Sequence, residues 1–151
     1  MQTKRLLLAA AAALMPFSAS AQANLSGYWT QSDFNNPCSA IFGFQLNANG
    51  AADVDWVETK LNAVSRKPEF VKQRRDGRWH AKGNSIQLTV TQVVTDTKLL
   101  KMFDKSAPVE MKTELTAPIA ADGKRLDATV KAQNINHEVF TFKCVYNRGK
   151  R

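Results

Sequence analysis

The chain has 151 residues, a formal net charge of +8, two cysteines and two histidines. At this length the folded part forms one domain. The cysteines and histidines stand singly, without the spacing of metal ligands, so we expect no metal site and no cofactor. The basic balance favours acidic partners, although it also serves simply to keep a small domain in solution.

The first 23 residues have the pattern of a secretory signal peptide. Lys4 and Arg5 precede an apolar run, residues 6–17, that is too short to cross a bilayer of ~30 Å as a helix. Residues 21–23, Ala-Gln-Ala, then offer a cleavage site. An N-terminal anchor or a buried helix is the alternative. We expect cleavage of residues 1–23, no transmembrane segment after it, and a bacterial periplasmic or secreted location.

Residues 24–151 alternate apolar and polar side chains repeatedly, which is the two-residue period of half-buried strands. The first strand falls at SGYWTQS, and we count about eight in all. Strand after strand with short turns predicts an all-β, antiparallel up-and-down meander. Eight strands avoid exposed edges by closing into a small barrel, so we expect a single β-barrel domain, with a β-sandwich as the alternative.

Two cysteines, Cys38 and Cys144, bracket most of these strands. Export would take them into an oxidising compartment, where we expect them to form a disulfide. Closing a loop of about 100 residues contributes up to ~4–5 kcal/mol in the chain-entropy model. Two free thiols are the alternative.

The first predicted hairpin joins AIFGFQL to DVDWVE. A two-residue turn would place Asp53 opposite Leu46 and Asp55 opposite Phe44, and burying these carboxylates costs several kcal/mol. A three-residue loop, 48–50, instead places Phe44 opposite Val54. The same register places Phe42 opposite Trp56, and the glycine that ends the loop supplies its left-handed position.

Residues 60–82 are strongly basic, alternate poorly and contain Pro68. We interpret them as a mobile loop followed by a short strand. An anionic envelope component or an acidic protein face would be the partner, because guanidinium groups bind phosphate and carboxylate bidentately. A solvated basic loop is the alternative. Nucleic acid is disfavoured by export and by the lack of an aromatic stacking platform. The candidate partner-binding residues are Arg66, Lys67, Lys72, Arg74, Arg75 and Arg78.

Two further hairpins are predicted from turn residues. A two-residue turn at Gly83-Asn84 places Trp79 opposite Leu88 and leaves His80 on the outer face opposite Gln87. Residues 96–103 look briefly helical, and they could equally form a loop that packs Leu99 and Phe103 over an open end. The second hairpin then turns at Asp122-Gly123. A type I′ turn there pairs Leu115 with Val130 and Glu114 with Lys131. In the last strand, inward positions fall at Phe140, Phe142, Cys144 and Tyr146.

The opening L-x-G-x-W, residues 25–29, resembles the first strand of the calycins, the group of lipocalins and avidin-like barrels. The resemblance implies that Gly27 and Trp29 are structural. It also implies that Trp29 closes the narrow end of the barrel under an arginine from near the last strand, here matched to Arg148. TDTKL matches the start of a second lipocalin motif, Thr-Asp-x-x-Tyr, but Leu99 replaces its tyrosine. An ordinary core tryptophan is the alternative.

The sequence contains no convincing catalytic grouping, and we expect no enzyme. His80 is predicted to face outward and His137 to lie in a turn, and no serine has a nucleophile-elbow context. The inward residues either fill the barrel or line a cavity for a small ligand. Gln92 and Thr113 fall on this inward register, and buried polar groups need partners. The candidate ligand-binding residues are Phe42, Phe44, Trp56, Trp79, Gln92, Met111, Thr113, Phe140 and Phe142.

We therefore predict a non-catalytic exported protein that binds a small apolar or amphiphilic molecule. The alternative is a protein that inhibits a hydrolase, such as a protease or lysozyme, or an envelope adaptor that acts through the basic loop.

Overall fold

A computed structural model of the chain describes residues 24–150, so the predicted signal peptide lies outside the described residues. Eight strands pair antiparallel in chain order, and the last closes on the first to form a barrel. The all-β meander is thus confirmed, and the sandwich alternative is wrong. The elements are β1 Gly27–Thr30, β2 Ile41–Leu46, β3 Ala51–Leu61, β4 Pro68–Lys82, β5 Ser85–Val94, α1 Thr97–Met102, β6 Val109–Pro118, β7 Arg125–Gln133 and β8 Val139–Gly149.

The up-and-down order places the connections alternately at two ends of the barrel. At what we term the closed end, the connections are 47–50, 83–84 and 119–124. At the open end they are 31–40, 62–67, 95–108, which includes α1, and 134–138. Within residues 24–150, no helix has the length and apolar character needed to cross a bilayer.

The closed half of the barrel is a filled core. Inward side chains from all eight strands form one cluster, including the completely buried Trp29, Phe44, Leu115 and Tyr146. Each such side chain contributes roughly 1.5–3 kcal/mol by leaving water. A second, smaller cluster of Val94, Leu100, Val109 and Ile135 lies at the open end. The barrel therefore has a packed base and a separately packed rim.

The β2–β3 hairpin agrees with the sequence except at one residue. Its three-residue loop and the pairing of Phe44 with Val54 are confirmed, and Gly50 has a φ of 84°. A register shift between Ile41 and Gly43, however, places Ile41 opposite Trp56. The predicted Phe42–Trp56 pair is wrong, because a bulge inserts an extra residue that no alternation pattern records.

The β4–β5 hairpin is confirmed in register. Lys82 pairs with Ser85 around Gly83-Asn84, Trp79 pairs with Leu88, and His80 lies exposed opposite Gln87.

The β6–β7 hairpin is confirmed in register but not in its turn. Leu115 pairs with Val130 and Glu114 with Lys131. The two-residue turn is wrong, since residues 119–124 form a longer connection. The Ile119 amide donates to the Asn84 carbonyl of the neighbouring turn, so the chain is held there before it reverses.

Most of the basic segment is strand: only residues 62–67 form a loop, and β4 runs from Pro68 to Lys82. The prediction of a loop followed by a short strand is therefore wrong in the extent of the two parts. β3 and β4 remain paired as far as Leu61 and Pro68. The pairing of β3 with β2 ends at Trp56, and the pairing of β4 with β5 begins at Gly77. Residues 57–61 and 68–76 extend beyond these pairings. We term this two-stranded extension the arm. Pro68 is tolerated because it is the first strand residue, and a ribbon with no further strand on either side needs no apolar alternation.

The short β1 leaves a seam that the 31–40 connection covers. β1 pairs with β8 only at Tyr28, Trp29 and Thr30. The predicted Cys38–Cys144 disulfide is present and fastens the connection to β8, with a Cα–Cα distance of 5.8 Å. The Ile41 carbonyl accepts hydrogen bonds from the Tyr146 hydroxyl at 2.7 Å and from Gln31 Nε2 at 2.6 Å.

Candidate functional site

An apolar cavity of about 420 Å³ lies at the open end, between the filled core and α1. Its volume falls within the ~300–1,000 Å³ typical of small-molecule sites. Strands β3, β5, β6 and β7 supply its walls. Its lining residues are Trp56, Val90, Gln92, Val94, Leu99, Phe103, Met111, Thr113, Ala132, Gln133, Asn134 and Ile135.

Strand periodicity explains why these side chains meet. Val90, Gln92 and Val94 occupy every second position of β5, so they share its inward face. The same period on β6 brings Met111 and Thr113 to the cavity, where β5 pairs Val90 with Thr113 and Gln92 with Met111.

The helix α1 forms the outer wall of the cavity. Asp96 caps its N-terminus by accepting hydrogen bonds from the amides of Lys98 and Leu99. Leu100 is buried in the rim cluster and anchors the helix. Leu99 and Phe103 then line the cavity, as the sequence suggested for this segment.

Besides the indole N–H of Trp56, two polar side chains of the cavity, those of Gln92 and Thr113, make no hydrogen bond to another described residue. The other two polar residues are used locally. Gln133 Oε1 accepts from the Lys112 amide, and Asn134 Oδ1 accepts from the amides of its own turn. An amide and a hydroxyl thus remain to orient a polar group inside an otherwise apolar space.

A charged cluster adjoins the cavity at Trp56. The Arg75 guanidinium lies 4.5 Å from the Trp56 ring centroid and donates to Glu58 at 2.8 Å. Gln73 Nε2 donates to the other Glu58 oxygen at 2.9 Å. Arg75 Nε is buried and lacks a partner among the described residues. Through this contact the arm holds the Trp56 ring in place, because a desolvated cation on an indole face stabilises the folded state by about 2 kcal/mol.

The structure brings only part of the predicted set to the cavity: Trp56, Gln92, Met111 and Thr113. Phe44 and Trp79 point inward but belong to the filled core below it. Phe42 instead packs against Phe34, with the Lys72 ammonium 4.6 Å from its ring.

Phe140 and Phe142 are not among the lining residues and are 50% and 37% exposed. Because β1 ends at Thr30 opposite Asn147, the first half of β8 has no β1 neighbour to enclose these rings.

The sequence pattern missed several lining residues on β7 and in the connection after it. Ala132 continues the inward register of Val130 and could have been found by extending the alternation. Gln133, Asn134 and Ile135 follow the end of that alternation, so no periodic signal marked them.

The six candidate basic residues do not share one surface. Arg75 faces inward onto Trp56, whereas Lys72 lies on the outer face over Phe34 and Phe42. Arg74 and Arg78, which alternate with Arg75, are opposite Asp55 and Ala51. Only Arg66 and Lys67 lie in the connection at the end of the arm.

At the closed end, Arg148 lies over Trp29 with its guanidinium carbon 4.8 Å from the ring centroid. The guanidinium also donates to the carbonyls of Gly123, Ser26 and Asn24. Gly27 has a φ of 134°, which favours glycine. These contacts fasten the first strand and the last strand at the base.

The described residues show few groups suited to acid–base or metal chemistry. No cluster of three or more His, Cys, Asp or Glu within 24–150 could hold a metal ion. Burial raises the pKa of Tyr146 to about 12, but this residue belongs to the filled core.

Comparisons of the chain with family models, with curated proteins and with solved structures returned no match. The chain is an eight-stranded up-and-down barrel with a packed core in its closed half and an apolar cavity at its open end. The calycin resemblance rests on the opening motif alone and stays a prediction.

Proposed function

We propose that this protein is a non-catalytic binding protein that holds one small apolar or amphiphilic molecule in its open-end cavity. The observation that supports this most is the apolar space of about 420 Å³ with two unengaged polar side chains, Gln92 and Thr113. A barrel with a completely filled interior would have neither this apolar space nor polar side chains without hydrogen-bond partners inside it.

The lining suggests a ligand with an apolar body and one hydrogen-bonding group. Trp56, Met111 and Phe103 offer rings and a thioether to the body, which gains by leaving water. Gln92 and Thr113 would bind a hydroxyl, carbonyl or carboxyl group at the wall between β5 and β6.

We further propose that the protein acts outside the cytoplasm. The proposal rests on the signal-like residues 1–23 and on the Cys38–Cys144 disulfide, which suits an oxidising compartment.

Titration of the purified protein with decanol, followed by tryptophan emission, tests the proposal. Decanol should shift the emission, because Trp56 lines the cavity. Trp56→Phe should abolish the shift. Trp79→Phe should retain it, because Trp79 belongs to the filled core.

A matched pair of substitutions on β7 separates cavity binding from adsorption. Ala132→Phe fills the cavity, whereas Lys131→Phe places the same ring on the outer face of the same strand. We expect Ala132→Phe to weaken decanol binding at least ~10-fold, about 1.4 kcal/mol, and Lys131→Phe to leave it unchanged. Absence of decanol binding, or equal affinities of the two variants, would refute the proposal.

A further inference from the structure

We propose that the open end of the barrel docks onto an anionic lipid bilayer through two projections, the end of the arm and the α1 segment. Each projection combines exposed apolar side chains with cations. The inference does not rest on the ligand-binding proposal, because it concerns the outer surface of the protein and not its cavity.

The first projection is the end of the arm, residues 60–67, which we term the tip. Leu61 and Val64 are 65% and 94% exposed. Arg66 and Lys67 flank them, whereas the Lys60 ammonium lies 3.8 Å from the Glu58 carboxylate. Residues 60–67 themselves contain no acidic residue. The tip is thus a surface that combines exposed apolar side chains with cations at its two ends.

Internal hydrogen bonds hold the tip in a defined shape. Asn62 Oδ1 accepts hydrogen bonds from the backbone amides of Val64 and Ser65, and the backbone amide of Asn62 donates to the Lys67 carbonyl. Val64 is therefore presented outward by an ordered turn. An apolar side chain displayed in this way costs free energy in water unless something covers it.

The second projection is the α1 segment, residues 97–105. Met102 is 77% exposed, and Phe103 is also exposed. Lys98, Lys101 and Lys105 accompany them, with Asp104 as the acidic residue of the segment. The same combination of apolar and cationic groups thus recurs at a second site.

The topology places both projections at one end of the barrel. β3 runs out to the tip, and β5 runs in the same direction to α1, because both strands are antiparallel to β4 between them. The cavity lies at this end as well, since Leu99 and Phe103 line it. Docking would bring the cavity close to the lipid.

The composition favours a lipid bilayer over a protein partner. Lysine is depleted at protein–protein interfaces. The two projections, however, carry five lysines and one arginine beside their exposed apolar side chains. Apolar side chains that insert between lipid headgroups, ringed by Lys and Arg that contact phosphates, are the pattern of interfacial binding. Charge complementarity then selects an anionic surface.

Flotation of the purified protein with vesicles tests the proposal without any added ligand. We expect the protein to float with phosphatidylglycerol–phosphatidylcholine vesicles, to stay unbound with phosphatidylcholine alone, and to dissociate as salt is raised. Changing Arg66 and Lys67 together to Gln should weaken binding by about fivefold per cation. Lys124→Gln, at the closed end, should have no effect.

The apolar contribution is tested by Val64→Asp combined with Met102→Asp, which should abolish flotation. Val145→Asp is the matched control, because Val145 is an exposed apolar residue on β8 away from the open end. Circular dichroism verifies that each variant is folded.

Equal flotation of the double variant and the control would overturn the proposal. So would binding that is independent of lipid charge, or self-association through Val64 and Met102 without vesicle binding.

Discussion

The hydroxyl of Tyr146 allows a quantitative test of the core. Its ring is completely buried against Phe44, with centroids 5.0 Å apart, and the hydroxyl donates to the Ile41 carbonyl at 2.7 Å. Burial of the phenol raises its pKa from 10.0 to about 12, with hydrogen bonds to Ser39 and Gln31 acting in the opposite direction. Tyr146→Phe removes only the hydroxyl and keeps the ring.

The sign of the pH dependence follows from this shift. Below pH 10 the phenol is neutral in both states, so its contribution to stability is complete. Between pH 10 and pH 12 the unfolded chain loses the proton and the folded chain retains it, so stability falls as pH rises through the folded pKa. A shift of two units corresponds to about 2.7 kcal/mol in full and to about 2 kcal/mol by pH 12.

Urea unfolding of the parent and of Tyr146→Phe at pH 8 and near pH 12 measures the effect. At pH 8 the variant should be less stable by ~1 kcal/mol, because Ile41 keeps its hydrogen bond from Gln31. Near pH 12 the order should invert, since only the parent carries the titrating phenol. Ionisation of the other alkaline groups cancels in the difference. A difference in stability that is the same at both pH values would refute the burial argument.

Three further changes test other parts of the fold. Replacing Cys38 and Cys144 together by Ser should lower the free energy of unfolding by up to ~4–5 kcal/mol, because the disulfide joins residues 106 apart; an unchanged urea midpoint would contradict this. Gly43→Ala should lower the free energy of unfolding by ~1–3 kcal/mol, because the new Cβ would lie 2.6 Å from the Tyr28 hydroxyl, which crosses β2 to donate to Asp55. An unfolding temperature equal to that of the parent would argue against this crossing. Arg148→Met should lower the free energy of unfolding by ~2–4 kcal/mol, because it removes the contact with the Trp29 indole and three hydrogen bonds to backbone carbonyls. A calorimetric scan identical to that of the parent would show that these contacts do not stabilise the closed end.

The hairpin registers could be predicted because each depends on local information. In the β4–β5 and β6–β7 pairs, opposed residues must share a face, so alternation plus a candidate turn leaves few registers. The pattern predicts Leu115 opposite Val130 correctly, even though the predicted two-residue turn is shorter than the connection in the structure. The register is set by burial over the whole strand, and the connection adapts to it.

Features that depend on tertiary context could not be predicted in this way. The bulge beside Phe42 adds one residue without any compositional mark. The arm carries charge on both faces because it lacks further neighbouring strands, so its alternation is absent and it resembled a loop. Phe140 and Phe142 have the inward period, but the shortness of β1, which removes their cover, is a property of another part of the chain.

The same division applies to the candidate site. Gln92, Met111 and Thr113 follow from strand periodicity, and Leu99 and Phe103 from the expectation that residues 96–103 could pack over an open end. Whether the space between them is filled depends on side-chain volumes across several strands, which no single segment encodes.

Amide chemical-shift mapping by NMR during titration with decanol would locate the ligand in the barrel, because it reports on every strand at once. If decanol occupies the open-end cavity, we expect shifts confined to the open half of β5, β6 and β7 and to α1, with Gln92 and Thr113 among the largest. The closed-end core around Trp29 should be unperturbed. Shifts scattered over the outer surface, or none at decanol saturation, would contradict binding in the cavity.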